Sequence, residues 1–193
     1  MEKGKVKRPK LEELIPTYLD RGKTEIALGF IECLRANKMP PAYRPSLRFK
    51  CDFKGKGICT ISLPREWTNG NPYRDNEFAQ PWMSQEDTRN NWIVIPSLDR
   101  FGEYESRIGE DTKSRILDVR NMYRCNGCWA SNPNFPNPRE TCGPRPVRAI
   151  LGREFEGLCG RAFFWFYNPD EATINCIKEL LEFETAARVM AIG

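Results

Sequence analysis

Cys125 and Cys128 are separated by Asn126 and Gly127, and two further thiols, Cys142 and Cys159, follow at spacings of thirteen and sixteen residues. Four thiolates so arranged can enclose a tetrahedral zinc ion at roughly 2.3 Å per bond. Glycine stands directly after two of them, at Gly143 and Gly160. There the chain can turn with positive φ and aim amide N–H groups at a metal-bound sulfur, while Gly127 relaxes the CxxC loop itself. Residues 131–146 (SNPNFPNPRETCGPRP) are too poor in apolar side chains to fold by burial, so a metal would have to anchor them. The expectation is a structural zinc site with these four cysteines as ligands. A set of unliganded structural or redox thiols, or an iron–sulfur cluster, remains open. A redox CxxC ordinarily opens a helix after a strand, whereas this one follows a helical pattern and precedes proline-rich coil, which argues against a thioredoxin-like role.

Little other chemistry is on offer. The chain has no histidine, so Ser-His and Cys-His dyads and histidine-containing metal sites are excluded. It has no GxxxxGK[ST] loop and no GxGxxG after a strand. Glu103, Glu105, Glu110 and Asp111 form an acidic run, but with Arg107 and Lys113 interleaved it reads more simply as an ion-paired helix face than as a cation site. No run reaches the length of a membrane span, and the charged first residues have no apolar stretch behind them. The expected compartment is cytoplasmic, where eight cysteines are core thiols or ligands rather than disulfides.

Charge is unevenly placed. Residues 1–60 hold fourteen Lys and Arg against seven Asp and Glu, and the remainder holds sixteen against nineteen. Arg44, Arg48, Lys50, Lys54 and Lys56 crowd one hairpin pattern, which makes them candidates for phosphate contacts. The plainer reading is a solvated hairpin face that merely has to be polar. Alternation puts Phe49 on the opposite face from Arg48 and Lys50, so it cannot stack beside them.

These residues need elements to hold them. A helix is expected over residues 23–37, with Ile26, Phe30, Cys33 and Leu34 on its apolar face and Pro40 and Pro41 ending it. Leu47, Phe49, Cys51 and Phe53 alternate with polar residues, then Lys54-Gly-Lys-Gly57 leads into Cys59, Ile61 and Leu63, so Cys51 and Cys59 read as core thiols in a hairpin. Residues 64–91 show no periodicity but carry Trp67, Tyr73 and Trp82, candidates for contact with a partner protein. A short strand is expected from Trp92, an interrupted helix over residues 102–123, and strands at 146–151 and 162–167. The last helix is expected to open with Asn168 as N-cap and Pro169 first, burying Ile174, Cys176, Ile177, Leu181 and Phe183 or Val189.

Two stretches, ALGFIECLRANKMPP from Ala27 into Lys54-Gly-Lys-Gly-Ile-Cys59, and the later order CxxC, Cys142, Gly152-Arg-Glu-Phe155, Cys159, Asn168-Pro-Asp170 and Cys176-Ile-Lys-Glu-Leu, resemble a group of uncharacterised small cysteine-containing proteins from clostridial bacteria and their mobile elements. The resemblance covers about two thirds of the chain and leaves out residues 64–91. It implies a fold and a cysteine arrangement, and nothing catalytic.

The expected architecture is α+β: a mostly antiparallel sheet packed against N- and C-terminal helices, with a Cys-rich zinc loop at residues 125–159. Residues 1–22 form a basic tail with a short apolar segment, and residues 23–193 a single domain interrupted at about 64–91. The expected function is a non-enzymatic, zinc-stabilised protein engaging a nucleic acid or nucleoprotein complex. The alternatives are a mobile-element inhibitor of a host defence complex, which would act on a protein partner, and a thiol- or metal-dependent enzyme.

Overall fold

The computed structural model describes residues 9–44, 48–63, 90–118, 147–155 and 164–191. Its fold is α+β, with a five-stranded antiparallel sheet and helices at both ends of the chain. Helix α1 (Leu11–Tyr18), read from sequence as an apolar segment ahead of the domain, buries Leu11 and Ile15 in the common core. Helix α2 (Arg21–Ala36) starts at Asp20, whose carboxylate accepts the Lys23 amide at 2.9 Å. Its buried residues are Ala27, Phe30, Ile31 and Leu34. The apolar stripe is thus turned slightly from the expected one, and Cys33, expected in the core, sits half-buried at the margin. The helix closes with Lys38 at φ 60° and the Met39 amide donating to the Leu34 carbonyl at 2.8 Å, a left-handed closure usually given to glycine.

The sheet runs in the order β1 (Pro41–Arg44), β2 (Arg48–Phe53), β3 (Lys56–Ser62), β4 (Ile93–Pro96) and, past two strands of a separate hairpin, β7 (Phe166–Tyr167). Register lines up Tyr43, Phe49, Ile61, Val94 and Phe166 as one row across all five strands, and all but Tyr43 are fully buried. This row faces the helices. Cys51 opposite Cys59 begins the next buried row, as the alternation predicts. A bulge then intervenes: Cys51 pairs with Cys59 but Asp52 pairs with Gly57, leaving Ile58 as the extra residue. Ile58 and Cys59 are therefore consecutive and both buried, which strict alternation forbids.

Helix α3 (Phe101–Tyr104), a 3-10 turn (Glu105–Arg107) and α4 (Glu110–Ile116) realise the first part of the expected interrupted helix, whose end at 119–123 lies outside the described residues. Strands β5 (Arg148–Ile150) and β6 (Arg153–Phe155) form a separate two-stranded hairpin over Leu151 and Gly152, both at positive φ. The last helix, α5 (Glu171–Met190), buries Ile174, Cys176, Ile177, Leu180 and Leu181, while Val189 is exposed. Its N-cap is Asp170, which accepts the Thr173 amide at 2.7 Å, and not Asn168. Asn168 is occupied elsewhere: at φ 45° its side-chain oxygen accepts the Trp92 amide at 3.0 Å and its own amide donates to the Trp92 carbonyl at 2.8 Å, prolonging the β4–β7 pairing. A short polar side chain that tolerates the left-handed region suits that post as well as a cap.

Candidate nucleic-acid interface

All five basic residues of the hairpin lie in described parts of the chain. Arg44 on β1 stands directly opposite Arg48 on β2, on the sheet face turned away from the helices, and both are exposed. Like charges in opposed positions repel, yet no carboxylate among the described residues pairs with either. Lys50 shares their face and pairs with Asp52 at 2.7 Å, both side chains about a third exposed. An ion pair this open is weak and leaves the cation available. As the alternation requires, Phe49 is buried on the other face. Tyr43 goes with it, meeting Phe49 edge-on at a centroid distance of 5.6 Å.

Lys54 and Lys56 flank the turn. Lys54 takes φ 48° and Gly55 φ 79°, so the β2–β3 connection is a tight turn with two left-handed residues. Holding a lysine there costs about 1–2 kcal/mol relative to the right-handed region. Its ammonium lies 5.8 Å from the centroid of the Phe53 ring. Gly57 has its own reason to be glycine. A Cβ there would stand 2.8 Å from Lys50 Cε, so the lysine stem crosses the sheet over the place a side chain would fill.

The register carries this face further than the hairpin. Arg44, Arg48, Ser62, Ile93 and Tyr167 form one outward row across all five strands. Ala42, Lys50, Thr60 and Ile95 form the next outward row. Every one of these residues is exposed or half-buried. The face grades from guanidinium through hydroxyl to aliphatic and aromatic. Burial holds the Tyr167 phenol up at about 12, so its ring is neutral wherever the protein is folded near neutral pH. Sequence alternation places Thr60 and Ser62 opposite the core, but only the strand order brings Ile93 and Tyr167 beside them.

The zinc candidates Cys125, Cys128, Cys142 and Cys159 lie outside the described residues, as do Trp67, Tyr73 and Trp82. The other four cysteines occupy separate places in the fold. Cys51 and Cys59 are buried opposite each other, Cys176 is buried on α5, and Cys33 borders a shallow apolar groove with Phe30, Phe53 and Leu181. The Cys59 thiol is raised well above its ordinary value, chiefly by its hydrogen bond with Cys51 and by burial. The hairpin β5–β6 falls between Cys142 and Cys159, and its pairing of Arg148 with Phe155 returns the chain to within about 5 Å of where it set out.

The acidic run disperses as an ion-paired face should. Glu103 pairs with Arg100 at 2.7 Å, Glu110 with Lys113 at 2.6 Å, and Glu105 accepts the Leu151 amide. Among the described residues no group of three or more cysteines and carboxylates converges as a metal site, and no helix is long and apolar enough to cross a membrane. Compared with protein-family models, with curated proteins and with solved structures, the chain matches none.

Proposed function

We propose that this protein is a non-enzymatic binding module, stabilised by zinc, that engages a nucleic acid or a nucleoprotein complex through the basic face of β1–β3. The observation that carries the reading is the opposition of Arg44 and Arg48, two exposed arginines paired across adjacent strands with no carboxylate among the described residues to offset them. Such a pair is unfavourable alone and favourable around a phosphate, to which guanidinium geometry is matched. Lys50, Lys54 and Lys56 extend the positive field along the same hairpin.

The zinc part of the proposal draws support from the hairpin β5–β6. Its Arg148–Phe155 pairing closes the chain at a point between Cys142 and Cys159 in sequence, which is compatible with two ligands from one loop, and Cys125 and Cys128 would complete a four-sulfur set.

Binding of fluorescent oligonucleotides across a salt series tests the first part. Affinity should fall steeply between low and moderate salt, and Arg48→Glu or the pair Lys54→Glu and Lys56→Glu should flatten that slope. Affinity independent of salt and of these charges would overturn the reading. Elemental analysis of protein purified without chelator tests the second: one zinc per chain, lost in Cys125→Ser and Cys142→Ser, is expected, and metal-free protein with freely titrating thiols would remove zinc from it.

A further inference from the structure

We infer that the outward face of the whole five-stranded sheet is a platform for single-stranded nucleic acid, with phosphates held at Arg44 and Arg48 and bases laid over Ile93 and Ile95. The inference rests on the nucleic-acid reading above and adds to it a path and a strandedness.

The path follows from register. Arg44, Arg48, Ser62, Ile93 and Tyr167 stand in one row, each on its own strand. Adjacent strands are about 4.8 Å apart, so the row spans roughly 19 Å. Along it the surface changes from charged to hydroxylic to apolar and aromatic, as the polymer itself does from phosphate through sugar to base. The second row repeats the order, from Lys50 through Thr60 to Ile95. The half-buried Ile93 and Ile95, side by side on this face, offer apolar contact that any base can use.

Strandedness follows from width. A basic two-stranded ribbon can enter the major groove, which is about 12 Å wide. The ribbon β2–β3 has no such freedom, because β1 flanks it on one side and β4 on the other. A surface roughly 19 Å across is too broad for a groove. A duplex resting on it would reach the arginines and leave the apolar end facing phosphates. An unpaired strand can use both ends, because its bases are free to turn toward the protein.

The experiment is fluorescence anisotropy on the full-length protein, with a short labelled oligothymidylate and the matching duplex, at about 50 mM salt where phosphate contacts are strong. The single strand should bind at least tenfold more tightly than the duplex. Ile93→Glu should weaken single-strand binding about tenfold, because it replaces an apolar contact with a carboxylate facing a polyanion. Thr60→Lys, which adds a cation on the same face without touching the core, should tighten it several-fold. Melting curves of both variants guard against misfolding, and the gain expected of Thr60→Lys cannot arise from an unfolded protein. Equal or tighter binding of the duplex would overturn the inference. So would weakening by Arg48→Glu with no response to Ile93→Glu or Thr60→Lys, a result that leaves the broader reading standing. Binding to neither nucleic acid would overturn both.

Discussion

Glu184 and Arg188, one turn apart on α5, form a buried ion pair at 2.7 Å in which the carboxylate also holds the start of α3 and the guanidinium holds the sheet. The carboxylate is wholly buried and accepts the Arg100 amide and the Tyr104 hydroxyl at 3.1 and 3.0 Å. The guanidinium donates to the carbonyls of Gly57 and Ser97, each at 2.9 Å, and to Asp99 at 3.0 Å. Removing one partner strands the other without water, so Arg188→Ala should cost about 3–5 kcal/mol. Arg188→Lys, which keeps the charge but not the fork, should cost less, about 1–3 kcal/mol. Urea unfolding of the three proteins checks both figures, and an Arg188→Ala protein as stable as wild type would show the pair to be dispensable.

The turn at Lys54 should exchange stability for binding. Asparagine tolerates the left-handed region better than lysine, so Lys54→Asn should stabilise the protein by up to about 1 kcal/mol. It also removes a cation from the proposed interface. The expected outcome is a higher melting temperature with weaker oligonucleotide binding, read in parallel on one preparation.

Acid should act on the start of α5. The Asp170 carboxyl lies below its ordinary value because it accepts hydrogen bonds from Thr173, with Arg115 adding a weaker pull. A group lowered in the folded state stabilises above its unfolded value and loses that contribution as pH falls through the folded one. Its contribution should therefore be intact at pH 7 and fade below about pH 4. Asparagine caps as well as aspartate, so Asp170→Asn should match wild type within about 0.5 kcal/mol at pH 7. Below pH 4 its stability should fall less steeply, which thermal melts at a series of pH values would show.

Thiol reactivity should separate the described cysteines. Cys33 is half-buried at the groove between α2 and α5, whereas Cys51 and Cys59 are sealed in the core with the Cys59 thiol held protonated. Brief treatment with a maleimide near pH 8 should label Cys33 ahead of Cys51 and Cys59, which should react only on unfolding. Peptide mass spectrometry reads the order directly, and early labelling of Cys59 would mean that the β2–β3 pairing opens readily.

Most of the hairpin was legible because period-two alternation is a local property: Phe49, Cys51, Cys59 and Ile61 all face the core as read. The bulge at Ile58 was not, since it depends on which residue opposes which, and spacing along one strand says nothing of its partner. Asn168 was misplaced for a similar reason. Its local surroundings suit a helix cap, and the contact that overrides them is with Trp92, far away in sequence. The basic residues could be listed from the sequence, but the meeting of Arg44 with Arg48 required strand β1, whose four residues beginning at Pro41 alternate in burial but are too few to announce a strand in the sequence. The apolar end of the candidate face was out of reach, because it is assembled by strand order from segments that surround the long stretch between β3 and β4.

Strand β1 is also an outer border of the sheet, and its composition governs what may be added there. Pro41 has no amide hydrogen to offer a newcomer, and the strand ends after four residues on a charged arginine. Another chain attempting to continue the ladder there would find a short margin carrying like charge. At this border, therefore, the hairpin presents its cationic face without offering a second copy an easy strand to extend.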